Sequence, residues 1–176
     1  FPYTTLFRSA NAWNLTDQQK KFLKEDNLRH VLVMGIQSPE VAARWNNQMQ
    51  AYIEGLGLGI PGNTSSDPRH SGQLVGSSNP EFNAGGDRIS IWPDGLAMAA
   101  TFDPSIVKQF GEVAAKEYRA LGIATALSPQ IDLGTEPRWF RINMTFGESP
   151  KLATDMARAY IDGFQTSEGD AEIKDG

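Results

Sequence analysis

Cysteine is absent from the chain, and that single absence removes disulfides, thiolate zinc sites and cysteine nucleophiles together. It leaves the compartment open, because an exported protein also folds without disulfides. Histidine is nearly as scarce. His30 and His70 are the whole supply, too little for a His-rich metal site or a confident Ser-His-Asp triad. No apolar run approaches the roughly 20 residues that cross a bilayer, so no membrane span is expected. Sixteen Lys and Arg stand against 21 Asp and Glu, a net charge of −5. No basic cluster stands out to track a phosphate backbone, which disfavours a nucleic-acid partner. Carboxylates are left as the main source of chemistry, and no cofactor is indicated.

What is present suits one soluble α/β domain: 176 residues, 40% of them apolar, enough for a sizeable core. Residues 1–9, FPYTTLFRS, have neither the charged start nor the apolar stretch of a signal peptide. They match one reading frame of a common sequencing-library adapter. They are set aside as an artefact, and residues 10–176 carry the fold.

From there the chain repeats one grammar. Thr16 with Gln19 forms a capping-box start for a helix from about Asp17 to Leu28, and His30–Ile36 reads as a strand covered on both faces. Ser38 and Pro39 open a second helix, whose Val41, Ala42, Trp45, Met49, Tyr52, Ile53 and Leu56 recur at helical spacing, with Gly57 as its stop. Ile60–Asp67 is extended, and a Gly-, Ser- and Asn-rich loop follows to about Arg88. Ile89–Phe102 is apolar, with a short helix predicted after Pro93. Asp103 and Pro104 open a long helix burying Ile106, Val107, Phe110, Val113, Ala114, Tyr118 and Leu121, which Gly122 closes. Ile123–Leu133 is the third strand, and Ser149 and Pro150 cap a last helix carrying Leu152, Met156, Tyr160 and Phe164. Three strand-then-helix units imply a parallel sheet, either doubly wound or part of a (β/α) barrel. In a barrel the chemistry sits on the loops after the strands, which here hold Gln37 and the stretches 67–88 and 132–148.

Gly57-Leu58-Gly59-Ile60-Pro61-Gly62 spells a dinucleotide fingerprint, but a pyrophosphate loop must follow a strand and open a helix. Here a helix precedes it, so it is read as a helix-to-strand turn. Asp67, before Pro68, has two open readings: a turn former, or a carboxylate at a strand's carboxyl end that accepts hydrogen bonds from sugar hydroxyls. His70 is read as a loop residue rather than a catalyst. The stretch Thr135-Glu136-Pro137-Arg138-Trp139-Phe140-Arg141, followed by Phe146-Gly147-Glu148, is either a salt-bridged loop with a core Trp or a sugar site. In the second reading Arg supplies a fork of donors and Trp a flat face for a pyranose ring.

From about Leu15 to Gly169 the chain resembles the amino-terminal barrel domain of glycoside hydrolase family 3, a β-glucosidase-like family. Three stretches carry the likeness in order: IPGNTSSDPRH at 60–70, ISIWPDGLAMAATFDPSIV at 89–107, and LSPQIDLGTEPRWFRINMTFGESP at 127–150. The last is similar to the family signature DPRWGR followed by FGEDP. The resemblance implies a partial (β/α)8 TIM-like barrel of about three βα units. It also implies that Asp67 grips hydroxyls of a terminal glucosyl unit and that Arg141 contacts the sugar, while Arg138 and Trp139 form the structural half of the signature. Phe140 stands where the family usually has Gly, Ser149 where it has Asp, and Met144 where Gly or Glu is common.

By the same resemblance the Lys-His pair, the Asp nucleophile and the acid/base Glu lie beyond this stretch. No catalytic residue falls within the chain, and its partners are a β-glucoside or β-glucan oligosaccharide and the missing carboxyl-terminal part of its own chain. The whole enzyme would be a retaining glycosidase removing terminal nonreducing β-D-glucosyl residues, bacterial and periplasmic or secreted, with this piece inactive alone. A β-xylosidase or other β-glycosidase of the family, a non-catalytic sugar-binding barrel domain and a nucleotide-using α/β enzyme are the competing readings.

Overall fold

The computed structural model describes residues 9–10, 14–33, 35–36, 38–67, 70 and 89–165. Most of the 67–88 loop therefore lies outside the described residues, as do residues 1–8. The chain divides into two compact units: residues 1–69, 73–89 and 118–127, and residues 70–72, 90–117 and 128–176.

In the first unit, strand β1 (Ser9–Ala10) pairs in parallel with β3 (Gly35–Ile36). Helix α1 (Asp17–Glu25) starts as its capping box dictates: Gln19 N–H donates to Thr16 Oγ1 at 3.2 Å, and Thr16 N–H to Gln19 Oε1 at 2.9 Å. It ends three residues earlier than expected. Asn27 turns left-handed at φ 52°, a region that Asn tolerates better than most residues, and Leu28 N–H folds back onto the Phe22 carbonyl at 3.2 Å.

The expected strand over 30–36 divides between two sheets. Its first part, β2 (His30–Leu32), belongs to a parallel sheet with β4 (Asn63–Ser66) and β5 (Thr125–Ala126), in the order β2-β4-β5. Between β2 and β4 runs α2 (Pro39–Glu54), capped by Ser38 Oγ accepting from Val41 N–H at 3.2 Å. Met49 and Ile53 of α2 are fully buried with Leu23 of α1 and Val31 of β2, each contributing about 1.5–3 kcal/mol of hydrophobic stabilisation. Trp45, Tyr118, Leu121 and Ile123 complete this core.

Helix α2 stops at Glu54 with Gly55, not Gly57, as its cap. Gly57 and Gly59 nonetheless adopt positive φ, 44° and 63°, as a helix-to-strand turn needs and glycine permits. Gln50 clasps the end of that turn: its Nε2 donates to Gly62 O at 2.8 Å and its Oε1 accepts from Gly62 N–H at 2.9 Å. The amide a phosphate would need is already engaged.

β5 is far shorter than the predicted strand over Ile123–Leu133. Leu127 N–H reaches Ser66 O at 2.9 Å, which is the end of β4. Past it no partner strand is present among the described residues, and Pro129 has no N–H to offer.

The second unit is built on α3 (Gly95–Ala99), α4 (Pro104–Leu121) and α5 (Pro150–Gln165), with the last turn of α4, from Tyr118, counted in the first unit. Val107, Phe110 and Ala114 of α4 share a core with Met98 and Ala99 of α3, Phe146, and Ala153, Met156, Ala157 and Tyr160 of α5. A Cβ on Gly163 of α5 would run into the Lys108 carbonyl and lie 3.0 Å from Gly111 Cα, so both glycines let the two helices approach backbone to backbone. Ser149 caps α5 as read, its Oγ accepting from Leu152 N–H at 3.4 Å.

Candidate functional site

β4 is the strand that positions Asp67, and its sequence, Asn-Thr-Ser-Ser, is polar although Thr64 and Ser66 are buried. Every side chain on it has a hydrogen-bond partner. Thr64 Oγ1 donates to Asn46 Oδ1 at 2.9 Å, Ser65 Oγ to Val31 O at 3.3 Å and Ser66 Oγ to Val33 O at 2.6 Å. Asn63 Oδ1 accepts from Thr125 Oγ1 at 2.8 Å. Small hydroxyl side chains fit a crowded sheet interior when each finds an acceptor. The next residue, Asp67, is half-buried at the carboxyl end of the central strand of three, the position at which parallel α/β architectures place ligands. Asp67 already makes an interaction of its own, and Pro68 and Arg69 lie outside the described residues.

Arg141 belongs to the second unit. It sits on a tight turn, where Trp139 N–H donates to Glu136 O and Ile142 N–H to Trp139 O, both at 3.0 Å, and leads into a 3-10 helix over Ile142–Met144. Asn143 ties this turn to the start of α3, its Nδ2 donating to Asp94 Oδ2 at 2.8 Å. Arg141 is half-buried, and its Nε lies out of solvent with no hydrogen-bond partner among the described residues. A buried guanidinium N–H is rarely left so. Gln130, just after β5, has a buried side-chain oxygen in the same condition. It was not singled out from the sequence, because a lone Gln carries no motif.

Arg138 behaves differently. Its Nε and one terminal nitrogen grip Glu136 at 2.9 and 2.8 Å, and its backbone N–H adds a third bond at 2.9 Å. These bonds hold the Glu136 carboxyl down at about 2, ionised at any working pH. The salt-bridged reading thus describes this pair, although Trp139 is not a core residue: half-buried, it lines a concavity of about 460 Å³ with Leu133, Thr135, Glu136 and Arg138. Phe140 is 80% exposed. Its ring lies largely in solvent, whereas Met144 is half-buried and Ser149 serves as the α5 cap.

His70 is buried, with no exposed side-chain surface, and its Nε2 meets Glu117 Oε2 of α4 at 2.9 Å. The sequence placed it in a loop and gave no sign of this partner, 47 residues away.

Compared with known proteins, residues 9–174 match the model of the glycosyl hydrolase family 3 N terminal domain. The chain belongs to that family. A periplasmic beta-glucosidase/beta-xylosidase of Dickeya chrysanthemi is 47% identical over 129 residues, covering 73% of this chain and 19% of that protein. A probable beta-glucosidase C of Aspergillus flavus is 41% identical over 157 residues, 88% of this chain and 24% of its own. Among solved structures, a mutant beta-glucosidase from Listeria innocua in complex with laminaribiose superposes with a TM-score of 0.62 at 29% identity, covering 86% of this chain and 17% of that one. This family 3 chain therefore spans about a fifth of the length of such relatives. Its parallel strands alternating with helices form part of the family's TIM-like barrel domain. Among the described residues no helix is long and apolar enough to cross a membrane.

Proposed function

We propose that this family 3 chain is the amino-terminal portion of a retaining glycosidase that removes terminal nonreducing β-D-glucosyl residues, and that Asp67 and Arg141 bind the sugar. The observation that carries the reading is the buried Nε of Arg141, which has no partner among the described residues, a donor for which a ligand oxygen is the natural acceptor. Asp67 supports it from the carboxyl end of the central strand. The Asp67 carboxylate accepts hydrogen bonds from neighbouring hydroxyls and the Arg141 guanidinium donates to hydroxyl oxygens, while carboxylates elsewhere in the protein perform the double displacement. No residue of the chain is assigned as nucleophile or acid/base. The periplasmic description of the Dickeya relative supports export of this protein too.

A β-xylosidase reading is the second, favoured by the double name of the same relative. Both are tested by Asp67→Ala in the full-length protein, assayed on nitrophenyl β-glucoside and nitrophenyl β-xyloside. Loss of charge-assisted hydrogen bonds costs roughly 1.5–3 kcal/mol, so kcat/KM should fall about tenfold or more. The better unmutated substrate decides between glucoside and xyloside. An unchanged kcat/KM on both would return Asp67 to a turn former.

A further inference from the structure

Helix α5 carries apolar residues on more than the face that packs in its own unit. Met156 and Tyr160 lie in the core shared with α4, and Gly163 meets the α4 backbone. A second row, Ala153, Ala157 and Ile161, recurs at a spacing of four, which sets the three side by side along the helix surface as one ridge. With Ile131 and Leu133, from the segment after β5, this row lines a groove of about 410 Å³ within the second unit. The two alanines are buried and form its floor, whereas Ile131 is 54% exposed and Leu133 and Ile161 are each 43% exposed. Single exposed apolar residues are ordinary, but several lining one groove mark an interaction surface.

The lining narrows the occupant. Small-molecule sites combine aromatic side chains with convergent polar groups. Among the described residues no aromatic side chain lines this groove, and its polar members, Thr154, Arg158 and Asp162, share the adjoining row of α5. We propose that the groove seats apolar side chains of the polypeptide carboxyl-terminal to residue 176 in the same molecule. The chain matches an N terminal domain and spans 19% of the Dickeya relative, so most of that relative's length lies beyond what this chain matches. Helix α5 ends at Gln165, one turn past Ile161. Residues 166–176 can reach at most about 36 Å, more than the roughly 24 Å that the 16 residues of α5 occupy. Polypeptide after residue 176 can therefore return to any point along the groove. Neither Asp67 nor Arg141 lines it, so the sugar-site reading can fail without touching this one.

Ile161→Cys in the full-length protein tests this. Residues 1–176 hold no cysteine, and mass spectrometry of the peptide carrying position 161 reads the alkylation of the introduced thiol by iodoacetamide. Alkylation should be about 100-fold slower or more in the native protein than in urea, because a covered thiol reacts only when the structure opens. A native rate within about tenfold of the unfolded one would mean an open groove and overturn the proposal. A thiol-linked benzophenone at the same position identifies the occupant. On illumination it should couple, within one polypeptide, to peptides carboxyl-terminal to residue 176. Coupling to a second copy, seen as a doubled mass, or to peptides within residues 1–176 would assign the groove to another occupant and overturn the proposal too. If Ile161→Cys does not fold, Thr154→Cys, on the adjoining row, carries both measurements.

Discussion

Glu136 and Glu117 each hold a basic partner within the same compact unit, yet their surroundings have little in common. Glu136 lies on the surface beside Arg138, two positions along, and both stay open to water. Glu117 is 26% exposed and faces an imidazole with no exposure at all. An exposed pair is screened and contributes little to folding. A buried one is costly to break, because the survivor is left desolvated and unpaired. The comparison teaches that the more conspicuous charged motif of the sequence shapes a loop, whereas the inconspicuous one anchors a chain segment to a helix.

The largest effect should come from Glu117→Ala. It strips the buried His70 and the Ser90 N–H of their acceptor at once. With a discount for the partial exposure of Glu117, the loss should be roughly 2–3 kcal/mol in urea unfolding; no change would erase the distinction between the two pairs.

Gly163→Ala sharpens the comparison by leaving charge untouched. The new methyl meets the backbone of α4, which cannot yield as a flexible side chain would, so a destabilisation of about 1–3 kcal/mol is expected. A loss as large as that from Glu117→Ala would show that helix packing governs this unit as strongly as its buried pair does. A neutral outcome would mean that the two helices separate easily.

Arg138→Ala should do least. The Glu136 carboxyl, held at about 2 chiefly by its side-chain bonds to Arg138 and then by the Arg138 amide, should rise toward the ordinary value near 4.5 in an NMR titration. Its folded value is depressed, so whatever stability the pair gives is present above about 4.5 and fades as pH falls through about 2. At neutral pH the unfolding curve should not shift resolvably. A clear shift there would make the exposed pair the equal of the buried one.

Local signals in this chain were legible because their hydrogen bonds span three or four residues. The caps at Thr16, Ser38 and Ser149, the stop at Gly122 with its φ of 81°, and the apolar faces of α2, α4 and α5 needed only the neighbouring sequence. The family resemblance likewise exposed Asp67, in the stretch 60–70, and Arg141, in the stretch 127–150, as candidates. Strand extents were not legible, since a ladder lasts only as long as its partner. β5 stops where β4 does, whatever apolar residues follow it.

By itself, then, the sequence determined where the main helices begin, the alternation of helices with parallel strands and the family, because those follow from short-range hydrogen bonding, the period of apolar residues and an ordered set of motifs. Only the tertiary structure decided that Thr64 and Ser66 of the polar strand Asn63–Ser66 are buried, that the Arg141 Nε lacks a partner among the described residues, and that His70 is joined to Glu117. Each of these depends on groups brought together from distant parts of the chain, and burial raises the importance of such meetings by removing the water that would otherwise satisfy every polar group alone.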